Sequence, residues 1–237
     1  MKIEILYPQL CCLYGDKGNT LFLQKCLPDA EFVFTQLNSK PLFLSEDIDL
    51  VCMYSMSEQS QELILDRLMK YKNEIKEKIS DNKIFFLFLG NSFELLGKYI
   101  EREDGSKVEA LGVFDVFSTR HAPQRFNTLI KAKFKDITLL SYTSRFSETF
   151  GITEDMAFAK VEIGTGSCPD TKLEGIYKDN LIATYMLGPV LVANPDFSKW
   201  LLKKIGVSEP ELPFEKALYE SYEAKRKEFQ RPDLVLD

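Results

Sequence analysis

The pattern of apolar and polar positions divides this chain of 237 residues into two unlike halves. In the first half, Lys2–Tyr7 reads as a short strand that stops at Pro8. "EFVFTQL" predicts a second strand, and "DLVCMYS", Asp49 to Ser55, a third that is apolar throughout, as strands covered on both faces are. "KIFFLFL", Lys83 to Leu89, predicts a fourth of the same kind. Helices fall between them. Asn19 or Thr20 caps a predicted helix through Cys26, and Phe93–Ile100 continues the fourth strand as a helix. Gln59–Ile79 places Leu63, Ile64, Leu68, Tyr71, Ile75 and Ile79 on one stripe, predicting a single long helix. A β-α-β-α-β-α order with short joins predicts a parallel sheet with helices on both faces.

The second half changes period. "GVFDVFSTR", "LIKAKF", "ITLLSY", "FAKVEI", "EGIYKDN" and "LIATYML" are short strand-like runs parted by turn residues, as in antiparallel hairpins, with a turn at Tyr177–Asn180. Two helices, Pro195–Ile205 and Phe214–Gln230, close the chain. The last carries an apolar stripe of Phe214, Ala217, Leu218 and Tyr222, predicted to pack on its own domain. Together these elements predict one α/β domain over residues 1–237, its later strands extending the sheet.

Composition narrows the class. At 45% hydrophobic and 28% charged the profile is globular, and 18 Phe and 10 Tyr supply a core. A net charge of −6 without a basic run excludes a nucleic-acid-binding face. No apolar run approaches the roughly 20 residues of a membrane helix. The N-terminus lacks the pattern of a signal peptide, so a cytoplasmic protein with no membrane contact is expected. Cys11, Cys12, Cys26, Cys52 and Cys168 are odd in number and irregular in spacing, which argues against a disulfide framework or zinc site. His121 is the single histidine, which restricts any mechanism that needs an imidazole base.

Three segments, in order, carry a resemblance. "LYPQLCCLYGDKGNTLFL", Leu6 to Leu23, "FLFLGNSFELLGKYIEREDGSKVEALGVFDVFSTR", Phe86 to Arg120, and "KLEGIYKDNLIATYMLGPVLVANP", Lys172 to Pro195, resemble the CobB/CobQ-type class I glutamine amidotransferases. The branch most resembled is the glutaminase subunit of lipid II isoglutaminyl synthase. "LYGDKGN" and "GP-x-L-x-x-NP" are the specific pieces, and the family core extends to about residue 205, leaving 206–237 as a helical extension. The resemblance implies a Rossmann-like, flavodoxin-like fold with a mixed sheet whose N-terminal half is parallel. It implies no cofactor. In active members a cysteine at a sharp strand-to-helix turn attacks glutamine, a histidine activates it, and backbone N–H groups hold the oxyanion. The ammonia passes to an ATP-dependent synthetase, here one of Mur-ligase type by resemblance.

This chain departs from that pattern where covalent chemistry occurs. Aligned on Leu95-Leu96-Gly97, the family's cysteine falls on Gly90, its next two glycines on Asn91 and Ser92, and its glutamine on Glu94. Aligned on Gly188-Pro189, the family's histidine falls on Leu187. Neither residue can do the chemistry. The family's glycine-rich loop corresponds to "MYSMSEQSQ", Met53 to Gln61, where Tyr54 and Met56 are expected to fill the space and Glu58-Gln59 keeps an "EQ".

Substitutes are few. Ser92, in "GNSFE", is the candidate nucleophile, weighed against a plain N-cap of the Phe93 helix. Arg125 stands near the family's arginine for the glutamine carboxylate and, with Glu94 and Asn91, forms the candidate ligand set. His121 reads as a loop residue, Cys52 as a small buried apolar side chain, and Cys168 as a loop cysteine. "YGDKGN" lacks P-loop spacing and reads as a structural turn, with Asp16 and Lys17 available to a partner surface. Three functions follow. The first is a glutaminase-like subunit that has lost hydrolysis and serves a Mur-ligase-like amidating synthetase in cell-wall precursor metabolism. The second is an active glutaminase with a rearranged nucleophile, feeding lipid II or cobyric-acid-type amidation. The third is a sensor of glutamine or a related ligand.

Overall fold

The computed structural model describes residues 1–231, 233 and 234; the remainder of the expected C-terminal extension, positions 232 and 235–237, lies outside the described residues. Four early strands form as the apolar runs require: β1 (Lys2–Leu6), β2 (Glu31–Thr35), β3 (Leu50–Met53) and β4 (Phe85–Leu89). Helix α1 (Lys17–Cys26) joins β1 to β2. Its N-cap is Asp16, not Asn19 or Thr20, whose side chains point into the protein. The predicted helix Gln59–Ile79 is two, α2 (Glu58–Leu68) and α3 (Lys72–Ser80), with a tight turn between them at Met69–Tyr71. Tyr71 breaks the run with a non-helical backbone, φ −116° and ψ 16°. Ser57 caps α2 by accepting from the Ser60 amide.

The segment after β4 differs from expectation. Gly90–Leu96 winds as a 3-10 turn, and no α-helix follows. Tyr99 and Ile100, read as helix, form strand β5 (Tyr99–Glu101). The cause is tertiary. Lys98 donates to the Val116 carbonyl, Ala110 donates to that of Lys98, and β5 pairs with β6 (Lys107–Glu109) and β7 (Phe117–Arg120). A helix would leave those groups unpaired. The small sheet order is β10-β7-β5-β6, with β10 at Ser147–Phe150.

The large sheet runs β2-β1-β3-β4-β13-β12-β11-β8-β9. Its last members are β8 (Phe126–Phe134), β9 (Ile137–Arg145), β11 (Ala157–Ile163), β12 (Leu173–Lys178) and β13 (Leu181–Thr184). Pairs from β2 through β13 are parallel and those from β13 through β9 are antiparallel. The mixed sheet with a parallel N-terminal half is as the sequence implies. A late strand, β13, enters beside β4, so Thr184 pairs with Leu89 and the two motif ends emerge side by side.

Helices α4 (Val190–Ala193), α5 (Pro195–Lys204) and α6 (Glu215–Glu228) follow. Helix α6 lies on α4, α5 and β9, with Tyr222 donating to the Thr138 carbonyl at 2.9 Å. Phe214 does not join that face: it is 74% exposed, in a left-handed backbone ahead of the helix. Among the described residues no helix is long and apolar enough to cross a membrane.

Candidate functional site

The β4 and β13 ends meet the β1–α1 loop at one corner. Gly90 sits there with φ +66°, a left-handed backbone that glycine adopts without strain. A Cβ on Gly90 would stand 2.5 Å from Ser55 Cβ and 3.0 Å from Leu187 Cδ2. Gly90 and Leu187, placed by alignment on the family's cysteine and histidine, are therefore neighbours, with Ser55 as the third member of the contact.

The two most specific sequence pieces bind each other. Asn19 donates through Nδ2 to the Gly188 carbonyl at 3.1 Å and accepts through Oδ1 from the Leu191 amide at 3.0 Å. Asp16 is fully buried rather than presented to a partner. Its carboxylate accepts the Ser55 amide at 3.1 Å and the Ser55 hydroxyl. Burial pushes its pKa up from 3.8 to about 7, against the hydrogen bonds that favour the charged form.

The loop after β3 is locked in a similar way. Asn91 accepts the Met56 amide at 3.0 Å and donates to the Met56 carbonyl at 2.9 Å. Gln61, rather than Gln59, donates to the Asn91 carbonyl at 2.7 Å and to Glu94 at 2.9 Å. Glu94 also accepts from Tyr185 at 3.1 Å. Burial raises the Glu94 pKa, opposed by Gln61 and by the positive charge of Arg120. Arg120 in turn donates to Gln61 at 3.0 Å and to Glu62 at 3.0 Å, and Glu62 accepts two bonds from Arg102.

A cleft of about 140 Å³ opens at this corner. Gly90, Asn91, Glu94, Arg125 and Leu187 all line it, so the structure brings the predicted ligand set to one place. Ser92 is absent from the lining. It is buried, its hydroxyl donates to the carbonyls of Leu89 at 2.8 Å and Met53 at 3.2 Å, and it caps no helix. Met56 does reach the cleft. Tyr54 does not: its ring turns to the other side of β3, where its hydroxyl meets Thr20 at 3.0 Å. Arg125 lies exposed over the Phe146 ring at 4.0 Å and donates to Ser144 at 3.1 Å and to Tyr14.

The remaining candidates lie elsewhere. His121 is outside the cleft, 3.2 Å from Glu148 and edge-on to Phe126. Cys11 and Cys52 are buried, and burial pushes the Cys52 thiol up to about 12. Cys168, on a loop, is buried too, its pKa raised for the same reason. Asp16, Ser55 and Tyr185 were not legible as site residues. "LYGD" marks the first, but nothing in the sequence pairs it with a serine 39 positions on.

The architecture is that of the class I glutamine amidotransferases. It superposes on a glutamine amidotransferase crystal structure with a TM-score of 0.58 at 14% identity, over 86% of this chain and 99% of that one. A second glutamine amidotransferase, from Thermotoga maritima, gives 0.54 at 12% identity, over 96% and 92%. Residues 2–195 match the CobB/CobQ-like glutamine amidotransferase domain, and the chain belongs to that family. Two relatives are similar across most of their length. One is the lipid II isoglutaminyl synthase (glutamine-hydrolyzing) subunit GatD of Staphylococcus aureus, 25% identical over 86% of this chain and 83% of its own. The other is the subunit of that name in Streptococcus pneumoniae, 26% identical over 84% and 77%.

Proposed function

We propose that this chain is a glutamine amidotransferase-family subunit that does not hydrolyse glutamine, and that it serves as the structural or regulatory partner of a Mur-ligase-like, ATP-dependent amidating synthetase acting on cell-wall precursors. The observation that carries this reading is the corner itself. Thiol chemistry needs a side chain at position 90 and a base facing it. At position 90 a Cβ would stand 2.5 Å from Ser55 Cβ, and the residue facing it is leucine.

The electrophilic side supports the same reading. An acyl-transfer site keeps backbone N–H groups free to meet the developing oxyanion. Here the Ser55 amide is given to Asp16 and the Met56 amide to Asn91. The partner rests on likeness: the two relatives above are subunits of lipid II isoglutaminyl synthase. The Asn19–Gly188–Leu191 tie holds the two family motifs to each other inside the fold.

The test is glutamate formation from glutamine by the purified chain, alone and mixed with its Mur-ligase-like partner. No turnover in either case is expected, together with co-elution of the two proteins. Turnover that is abolished by Ser92→Ala or Ser55→Ala overturns the loss of hydrolysis. Failure to co-elute overturns the partnership.

A further inference from the structure

Arg145, at the end of β9, is a wall common to two cavities. One is the cleft at the Gly90 corner. The other, of about 480 Å³, is lined also by Arg125, Thr143 and Glu148. Arg145 is only 6% exposed. Its guanidinium lies 4.4 Å over the Tyr185 ring, and Nη2 donates to the Gly166 carbonyl at 2.7 Å. Nε and Nη1 find no acceptor among the described residues. Thr143, two residues earlier on the same strand face and 1% exposed, likewise has an unpartnered Oγ1. Glu148, 7% exposed, has only the His121 imidazole at 3.2 Å beside its carboxylate. Buried polar groups are almost always paired, and a charge taken out of water costs several kcal/mol when unpaired. Arg145 and Thr143 thus bring unpartnered polar atoms to one cavity, and Glu148, partnered by His121, adds a carboxylate to its lining; together they point to a ligand.

The charges identify its class. Two guanidiniums and one carboxylate line the cavity, and the complement is a molecule with two carboxylates and one ammonium. We propose that this cavity binds a free acidic α-amino acid, one carboxylate on Arg145, the other reaching Arg125 at the rim, and the ammonium on Glu148, with Thr143 hydrogen-bonded between them. A neutral amino acid leaves one guanidinium without a carboxylate, and a dicarboxylate without an amine leaves Glu148 with His121 alone. The cavity therefore discriminates by the groups it would strand. This cavity shares Arg125 and Arg145 with the Gly90 cleft and differs from it by Thr143 and Glu148, which do not line the cleft, and its proposed ligand does not depend on whether that corner hydrolyses anything.

Calorimetry on the full chain tests it with L-glutamate, D-glutamate and L-aspartate as probes, and L-glutamine and succinate as discriminators. At least one acidic amino acid binds with a Kd of about 1 mM or tighter, and both discriminators bind at least about tenfold more weakly. Glu148→Gln weakens the acidic probe about tenfold or more, and Thr143→Val, close in shape and without the hydroxyl, about threefold or more, both with an unchanged far-ultraviolet spectrum. Met56→Ala, which alters the cleft but no residue lining the second cavity, leaves the affinity within about twofold. Absence of binding by all three acidic probes overturns the proposal. So does equal affinity for glutamine or succinate, or a loss of binding in Met56→Ala that Glu148→Gln and Thr143→Val do not share.

Discussion

Replacing Gly90 by alanine tests whether position 90 can carry any side chain. The added Cβ would lie 2.5 Å from Ser55 Cβ, 3.1 Å from Ser55 Cα and 3.0 Å from Leu187 Cδ2. Carbon atoms are content at about 3.5–4.0 Å. Leu187 can rotate away, but Ser55 cannot, because its hydroxyl and amide are both held by buried Asp16. Overpacking of this kind costs about 1–3 kcal/mol. The left-handed backbone adds about 1–2 kcal/mol for any residue with a Cβ. Gly90→Ala should therefore lose about 2–5 kcal/mol, read as a lower urea midpoint at unchanged m-value. Gly105→Ala separates the two contributions. Gly105 has φ +80° and nothing within 4 Å of its Cβ position, so only the backbone cost applies. Its variant should lose about 1–2 kcal/mol. If the two variants lose the same stability within about 0.5 kcal/mol, the corner is not filled and a cysteine could stand there. The cleft would then be an intact site lacking only its thiol.

Other perturbations bear on the same corner. Asn19→Ala leaves the Gly188 carbonyl and Leu191 amide buried without partners and should cost about 2–5 kcal/mol, measured by urea unfolding. Asp16 holds its proton to about pH 7 when folded and to 3.8 when unfolded, so between these values the folded state binds more protons and stability falls as pH rises. Asp16→Asn removes that dependence; its stability relative to the parent should improve between pH 5 and pH 8, and an unchanged difference refutes the shift. Gly90→Cys with Leu187→His should release no glutamate from glutamine, because the space and the Ser55 and Met56 amides are still taken. Among the cysteines, exposed Cys12 should react first with a thiol reagent under native conditions and buried Cys11, Cys52 and Cys168 only on unfolding.

The parallel half of the sheet was legible because β3 and β4 are uninterrupted apolar runs, and a strand covered on both faces has no other way to be written. Strands β5, β6 and β10 were not legible. They are three or four residues long and carry Glu101, Lys107, Glu109 and Glu148, so neither period nor composition marks them. Without such a mark Phe93–Ile100 reads as a helix, although the apolar Leu95, Leu96 and Ile100 serve a turn and a strand pairing, and the Met69–Tyr71 turn divides the long helix read over Gln59–Ile79. Gly90 and Leu187 were legible through alignment to shared "LLG" and "GP" anchors, and pairing of β4 with β13 explains why residues 97 apart in sequence meet. Arg120, Arg145, Asp16 and Glu94 are buried charges. A sequence shows a charge but not its burial, and residues of these types are mostly at the surface.

Polar groups are used differently on the two sides of Arg145, which lines both cavities. At the Gly90 corner these donors are spent within the protein: the Ser55 amide on Asp16, the Met56 amide on Asn91, Gln61 on Asn91 and Glu94, and Tyr185 on Glu94, while Asp16 Oδ1 has no partner among the described residues. A site that must meet a substrate cannot be closed on itself in this way, since each bond to a ligand would first require one of these to break. At the second cavity the reverse holds. Arg145 Nε and Nη1 and Thr143 Oγ1 are buried and have nothing to bond, although stability alone would favour apolar residues in their place. Retaining polar groups that stability disfavours is what a binding site does. Under the proposal above, recognition shifts from the corner its fold family uses to the far side of Arg145, and ligand binding there, tested by Glu148→Gln and Thr143→Val, is the measurement on which that proposal stands or falls.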